Sequence, residues 1–237
     1  MKKFLSTVIV SVSLLIATAQ QTRYIADPQT TLKEAKEYFA NGSYSLAYPL
    51  FKDLNLYMRA ADRSDNAISY QEIKYYTIVC ALKQNESAAT DLAKDFINEE
   101  DNIARVMMMN FHLGEYYFRQ KNFYQAVANY EKTGTEHLSN DEISDLKFHE
   151  GYSYFNLKKF DKAMPLLDQI RKNPKDPNYD DANYYYGFIA FNNGKLRDAQ
   201  EAFRITENNS RYEKVVPFYI ATIMYNTGDK DKALDYA

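Results

Sequence analysis

The side chains of this 237-residue chain that could do chemistry are few: three histidines, one cysteine and several paired carboxylates. His112 and His149 each stand close to a carboxylate, Glu115 and Glu150, and share one column of a repeating pattern. Neighbouring units could bring both rings to one ion. Two ligands without HExxH-type spacing make a poor zinc site, however, and the plainer reading is two polar residues tolerated on adjacent helices. Cys80 has no partner for an internal disulfide. It sits in the apolar run YYTIVCAL with no basic or His neighbour, and reads as a small core residue rather than a reactive thiol. The pairs Glu99-Glu100, Asp141-Glu142 and Asp180-Asp181 fall at predicted helix starts, where negative charge suits the helix dipole. No Ser/His/Asp or Cys/His arrangement is legible. Six of the seven glycines belong to the repeat columns and Gly134 fits a helix end, so none is free to cradle a phosphate. The expected inventory therefore holds no catalytic residue, no metal and no cofactor, and the chain is expected not to be an enzyme.

What positions these residues is a phrase recurring at an interval of about 36 residues. It reads LGEYYFRQKNFYQAVANY from Leu113, EGYSYFNLKKFDKAMPLL from Glu150 and YGFIAFNNGKLRDAQEAF from Tyr186. Each copy has a Gly head, an Ala and then a large apolar residue: Gly114/Ala126/Tyr130, Gly151/Ala163/Leu167 and Gly187/Ala199/Phe203. The small residues let two helices approach closely, and a large residue fills the space beside them. Leu32, Ala35, Phe39 and Phe111, Gly114, Tyr117/Phe118 have the three-and-four spacing of an amphipathic helix. Gly42, Gly194 and Gly228 fall where the first helix of a unit ends and a positive φ is needed. Pro49 and Pro165 share a column and are expected early in the second helix, where a lost N–H costs least. Weaker copies begin at Ala35 and Ala221, and a divergent one fills the gap between Ala35 and Gly114, with Thr77 and Ala89 in its Gly and Ala columns.

These residues resemble the tetratricopeptide repeat, a helix–turn–helix unit with a period of about 34. The resemblance covers essentially all of Thr30–Ala237. It implies an all-α, right-handed superhelical solenoid of about six repeats. It also implies that first helices line a concave surface. The columns expected to face it give Phe111, Glu115, Phe118 and Arg119, then Phe148, Tyr152, Phe155 and Asn156. Further along they give Tyr184, Phe188, Phe191 and Asn192, and finally Phe218, Thr222, Tyr225 and Asn226. On one reading the aromatics wall a peptide groove and the asparagines bond an extended backbone. On the other, some aromatics pack between adjacent first helices and the asparagines cap helix ends. Phe111, Phe148, Tyr184 and Phe218 stand where carboxylate-binding members of the family carry Lys, so that mode of tail capture is not expected. Lys33, Lys36 and Lys74 make the first two units more basic, and read as a solvated face.

The N-terminus is a separate object. Lys2 and Lys3 precede an apolar stretch from Phe4 to Ala17, and Ala17-Thr18-Ala19 is a small-x-small site. This reads as a secretory signal peptide over residues 1–19, cut before Gln20, with a short segment at 20–29 and the repeats from 30 to 237. The stretch is shorter than the roughly 20 residues a membrane span needs, and four hydroxyl residues dilute it. Losing the two lysines takes the formal charge from −3 to −5. Charges of both signs are interspersed, which argues against a nucleic-acid partner. The Lys-Lys start suggests a bacterial periplasmic destination. The abrupt stop inside DKALDYA, with no polar cap, suggests a chain that continues. The expected function is a non-catalytic scaffold of the cell envelope that holds a protein or peptide segment. The alternatives are an N-terminal spacer of a larger envelope protein and, more remotely, an envelope hydrolase or metal protein.

Overall fold

The structure, a computed structural model, describes residues 27–60 and 70–236. The leader and its cleavage site lie outside them. Twelve helices make six hairpins among the described residues: α1 (Pro28–Ala40) with α2 (Tyr44–Ala60), α3 (Tyr70–Lys83) with α4 (Ala89–Glu99), and α5 (Ile103–Arg119) with α6 (Phe123–Tyr130). These are followed by α7 (Asn140–Asn156) with α8 (Phe160–Ile170), α9 (Tyr179–Asn192) with α10 (Leu196–Thr206), and α11 (Val216–Asn226) with α12 (Lys230–Tyr236). Each second helix also packs on the next first helix, and the first helices α3, α5, α7 and α9 touch in succession. The result is an all-α solenoid whose first helices form one continuous layer.

Local chemistry sets the boundaries. Asp27 accepts from the Gln29 and Thr30 amides ahead of Pro28, and Ser139 with Glu142 forms a capping box at α7. Every first helix ends in the same way. The amide one residue past the turn donates to the carbonyl five residues back, as from Ser43 to Tyr38 (2.8 Å) and from Lys159 to Tyr154 (2.9 Å). The turn residue has positive φ in all six hairpins: Gly42, Gly194 and Gly228, but also Asn85, Lys121 and Lys158.

The head glycines are where second helices come closest. A Cβ on Gly114 would lie 2.6 Å from the Tyr130 ring, one on Gly187 would lie 3.0 Å from the Phe203 ring, and one on Gly151 3.3 Å from Leu167. The partner in each case is the large residue of the same repeat, itself fully buried.

Three expectations need correction. The head of the second hairpin is Ile78 rather than Thr77, because Asn85, its turn residue, follows at the interval found in the other five. Tyr76 then stacks on Phe51 (5.0 Å, 10°) as Tyr219 stacks on Phe203 (5.0 Å, 10°). Volume has changed sides here: Ile78 replaces a small head and shares a cluster with Ala89 and Ala93 on the second helix. Glu99 and Glu100 end α4 rather than start a helix, and Glu100 then accepts from the Asn102 amide (2.8 Å) and from Arg105 (2.8 Å). Pro49 and Pro165 lie past the first turn of α2 and α8, so each removes a ladder hydrogen bond that a first-turn proline would not.

Candidate functional site: the first-helix face

Rings from four successive first helices form an unbroken chain. Phe118 of α5 stacks on His149 (4.0 Å) and meets Tyr152 of α7 edge-on (5.8 Å). Tyr152 meets Tyr185 of α9 (4.9 Å), which also touches Phe155 (4.9 Å). Phe155 meets Phe188 (5.4 Å), and Phe188 and Phe191 both meet Tyr219 of α11 (6.1 and 5.3 Å). The members from Phe118 to Tyr219 are half-buried: each spends part of its surface on a neighbour and leaves part open. A cavity of about 310 Å³ opens among them, lined by Phe118, Phe148, Tyr152, Tyr185, Tyr212 and the Asp181–Arg211 ion pair (2.7 Å).

The expected groove residues divide by place. Phe118, Tyr152, Phe155, Phe188 and Phe191 lie on this belt, and Tyr184 is half-buried and stacked on Tyr212 (4.0 Å). Phe111 (3 % exposed) and Phe148 (9 %) are buried between hairpins and back the wall rather than face outward. Phe218 (69 %) and Tyr225 (57 %) are open on the last hairpin, where with Leu234 they line a separate cavity of about 440 Å³. Asn156 and Asn192 each donate to a carbonyl one turn back in their own helix, Tyr152 and Phe188 (both 2.8 Å), while the C-caps are the next residues, Leu157 and Asn193; Asn226 occupies the same column at the end of α11. Tyr185 and Tyr219, central to the belt, were not anticipated. Both stand two residues before the head, in the column that holds His112 and His149.

Behind the wall Glu115 and the two histidines find partners within the chain, although His112 Nδ1 is buried with none among the described residues. Glu115, buried, accepts from the Tyr130 hydroxyl (2.7 Å) and pairs with His149 Nδ1 (2.8 Å). Burial pushes its carboxyl up, but the bonds from His149 and Tyr130 outweigh this and hold it below the usual range. His112 instead meets the Tyr75 hydroxyl (3.0 Å), and burial, helped by Lys83, lowers it to about 3, so the ring is neutral. The two histidines thus have separate partners, and His149 pairs with Glu115 rather than with the adjacent Glu150. Glu150 is raised to about 7 by burial and by Glu131, with Lys162 opposing. Cys80 is buried, and burial pushes its thiol up to about 12. Among the described residues no three His, Cys, Asp or Glu side chains converge as a metal would require, and no helix is long and apolar enough to cross a membrane.

This arrangement of stacked hairpins has solved counterparts. A family model described as tetratricopeptide repeat matches residues 145–176, which run from within α7 through α8 into the loop after it. The C-terminal part of a TPR repeat-containing protein from Cytophaga hutchinsonii superposes with TM-score 0.59 at 16% identity, covering 90% of this chain and 82% of that one. The fold is that of the tetratricopeptide solenoids. YrrB, a TPR protein with an unusual peptide-binding site, is similar with TM-score 0.56 at 18% identity, over 69% of this chain and 81% of its own. MamA AMB-1 is similar with TM-score 0.55 at 21% identity, over 70% and 87%. No curated protein matches the chain.

Proposed function

We propose that this protein is a non-catalytic scaffold that holds an extended segment of a protein partner along the first-helix face. The observation that carries this is the half-open aromatic belt from Phe118 to Tyr219, continuous across four hairpins. Packing between hairpins alone would be served by buried rings such as Phe111. Rigid aromatics that keep an open edge supply contact area at low entropic cost, and the Asp181–Arg211 pair gives the cavity a polar rim. The likeness to a peptide-binding TPR protein supports the same reading.

We propose further that the chain is exported to the bacterial periplasm, on the strength of Lys2, Lys3, the apolar run to Ala17 and the Ala17-Thr18-Ala19 site. Scaffolding would then take place in envelope complexes. A photo-crosslinking amino acid placed at Phe188 tests the groove, with Tyr124, 65 % exposed on a second helix, as the control position. One partner segment crosslinked from position 188 and not from 124 supports the groove. Equal yields from both overturn it.

A further inference from the structure

A different site lies on the second-helix side, independent of the aromatic belt. A cavity of about 350 Å³ opens between α4 and α6, with α5 as its floor. Its lining includes Lys94 and Lys132, one from each wall, and no carboxylate. Two carboxamides face it from nearly buried positions, Asn110 (3 % exposed) and Asn129 (8 %). Each donates one amide hydrogen to a carbonyl one turn earlier, Asn110 to Val106 (2.8 Å) and Asn129 to Gln125 (2.7 Å). Among the described residues no donor reaches the Oδ1 of either.

The repeat itself supplies the comparison. Asn183 holds the place of Asn110 two hairpins later, four residues before the head glycine, and makes the same bond to its own helix, at Tyr179 (2.8 Å). Its Oδ1, however, accepts from Arg171 Nε (2.7 Å) at the end of α8. The buried residues Ala89, Ala93 and Phe96 of α4 align with Ala163, Leu167 and Ile170 of α8, which puts Ile97 in the place of Arg171. Ile97 has no donor to offer, and the cavity occupies the space. One repeat closes this junction with an internal arginine, and the other leaves an unpaired acceptor of a mostly buried residue at an open pocket.

We propose that this cavity binds an acidic peptide segment. Backbone N–H groups of such a ligand satisfy the Asn110 and Asn129 oxygens, and its carbonyls accept the remaining amide hydrogens. Its carboxylates meet Lys94 and Lys132. Lys94 makes an exposed pair with Asp91 (3.2 Å), the kind of surface pair that contributes little and exchanges readily, and also interacts with the Tyr117 hydroxyl of the same lining. A cationic ligand would face two ammonium groups with no lining carboxylate, so the charge of the walls selects the acidic class.

The test is a titration of the isotope-labelled full chain, following the side-chain amide resonances of Asn110 and Asn129. The probes are acetylated and amidated tetraglutamate, the matching tetraglutamine, and citrate. Tetraglutamate should shift both resonances saturably, with tetraglutamine about tenfold weaker and citrate weaker still. Lys94→Ala with Lys132→Ala, both exposed and so compatible with the fold, should weaken tetraglutamate about tenfold, the equivalent of roughly 1.4 kcal/mol. Resonances unmoved by tetraglutamate, equal shifts from tetraglutamine, or an unaffected lysine double variant would overturn the proposal. Citrate binding as tightly as the peptide would also overturn it, by showing a free-anion site instead.

Discussion

Replacing each head glycine by alanine tests the close-approach account with a single methyl group. In a helix interior alanine is favoured over glycine by roughly 0.5–1 kcal/mol, so with free space every such change should stabilise. Space is not equal. At Gly114 the new Cβ would meet two ring carbons of Tyr130 at 2.6 Å, and Tyr130 is pinned by burial at 2 % exposure and by its 2.7 Å bond to Glu115. Overpacking against a fixed ring costs about 1–3 kcal/mol, which outweighs the propensity gain, so Gly114→Ala should destabilise by about 1–2 kcal/mol. At Gly151 the nearest atoms are Leu166 and Leu167 side-chain carbons at 3.3 Å, which yield by a few tenths of an ångström, and the change should be neutral or slightly stabilising. Gly187, facing the Phe203 ring at 3.0 Å, should fall between them. Urea titrations followed by far-UV circular dichroism and by tyrosine fluorescence measure the order; two probes are needed because a stack of neighbour-only contacts can unfold in parts. Gly114→Ala as stable as Gly151→Ala would refute the reasoning, since tertiary closeness would then not be what the glycine column serves.

Lys158, at φ 59°, occupies a turn that glycine fills in three other hairpins, so Lys158→Gly should stabilise by about 1 kcal/mol in the same titration, whereas Gly194→Ala, at φ 73°, should lose a similar amount. Glu150 supplies a pH prediction. Its folded carboxyl is raised to about 7, so its contribution is fully present below the ordinary carboxylate range and is lost as pH rises through 7. Wild type should therefore lose roughly 1–2 kcal/mol between pH 5 and 8, allowing for its partial exposure, and Glu150→Gln should flatten that slope. Glu115 runs the other way: its lowered carboxyl stabilises above the ordinary range and that contribution is lost as pH falls, so Glu115→Gln should cost stability at neutral pH and much less in acid.

The repeat was legible because size complementarity leaves a mark in sequence. A glycine head facing a large residue, as Gly114 faces Tyr130, cannot be exchanged casually, and its period survives. Where the same volume is divided differently, as by Ile78 with Ala89 and Ala93, the column disappears and the head was misplaced by one residue. The turn column was only half visible, because Asn85, Lys121 and Lys158 adopt positive φ without advertising it as glycine does. The aromatic face was partly legible. That Phe111 and Phe148 would be buried while Phe155 and Phe188 stay half-open depends on how each helix is rotated against the next hairpin, and residue type does not encode that. Tyr185 and Tyr219 were recoverable: extending the histidine column by one and two repeats lands on both. The unmet Asn110 oxygen was beyond sequence reading, because it shows only by contrast with the Arg171 bond to Asn183.

The central claim is that the aromatic belt serves a partner and not only the stack, and one double variant separates these. Phe155 and Phe191 lie outside the Gly and Ala packing columns, and both are half-buried on the belt. Phe155→Ala with Phe191→Ala should weaken retention of the partner segment crosslinked at position 188 by about 2 kcal/mol per ring, while far-UV ellipticity is kept and the thermal midpoint moves little. A variant that melts early yet binds normally wherever it remains folded would show that these rings belong to the core and that the partner lies elsewhere.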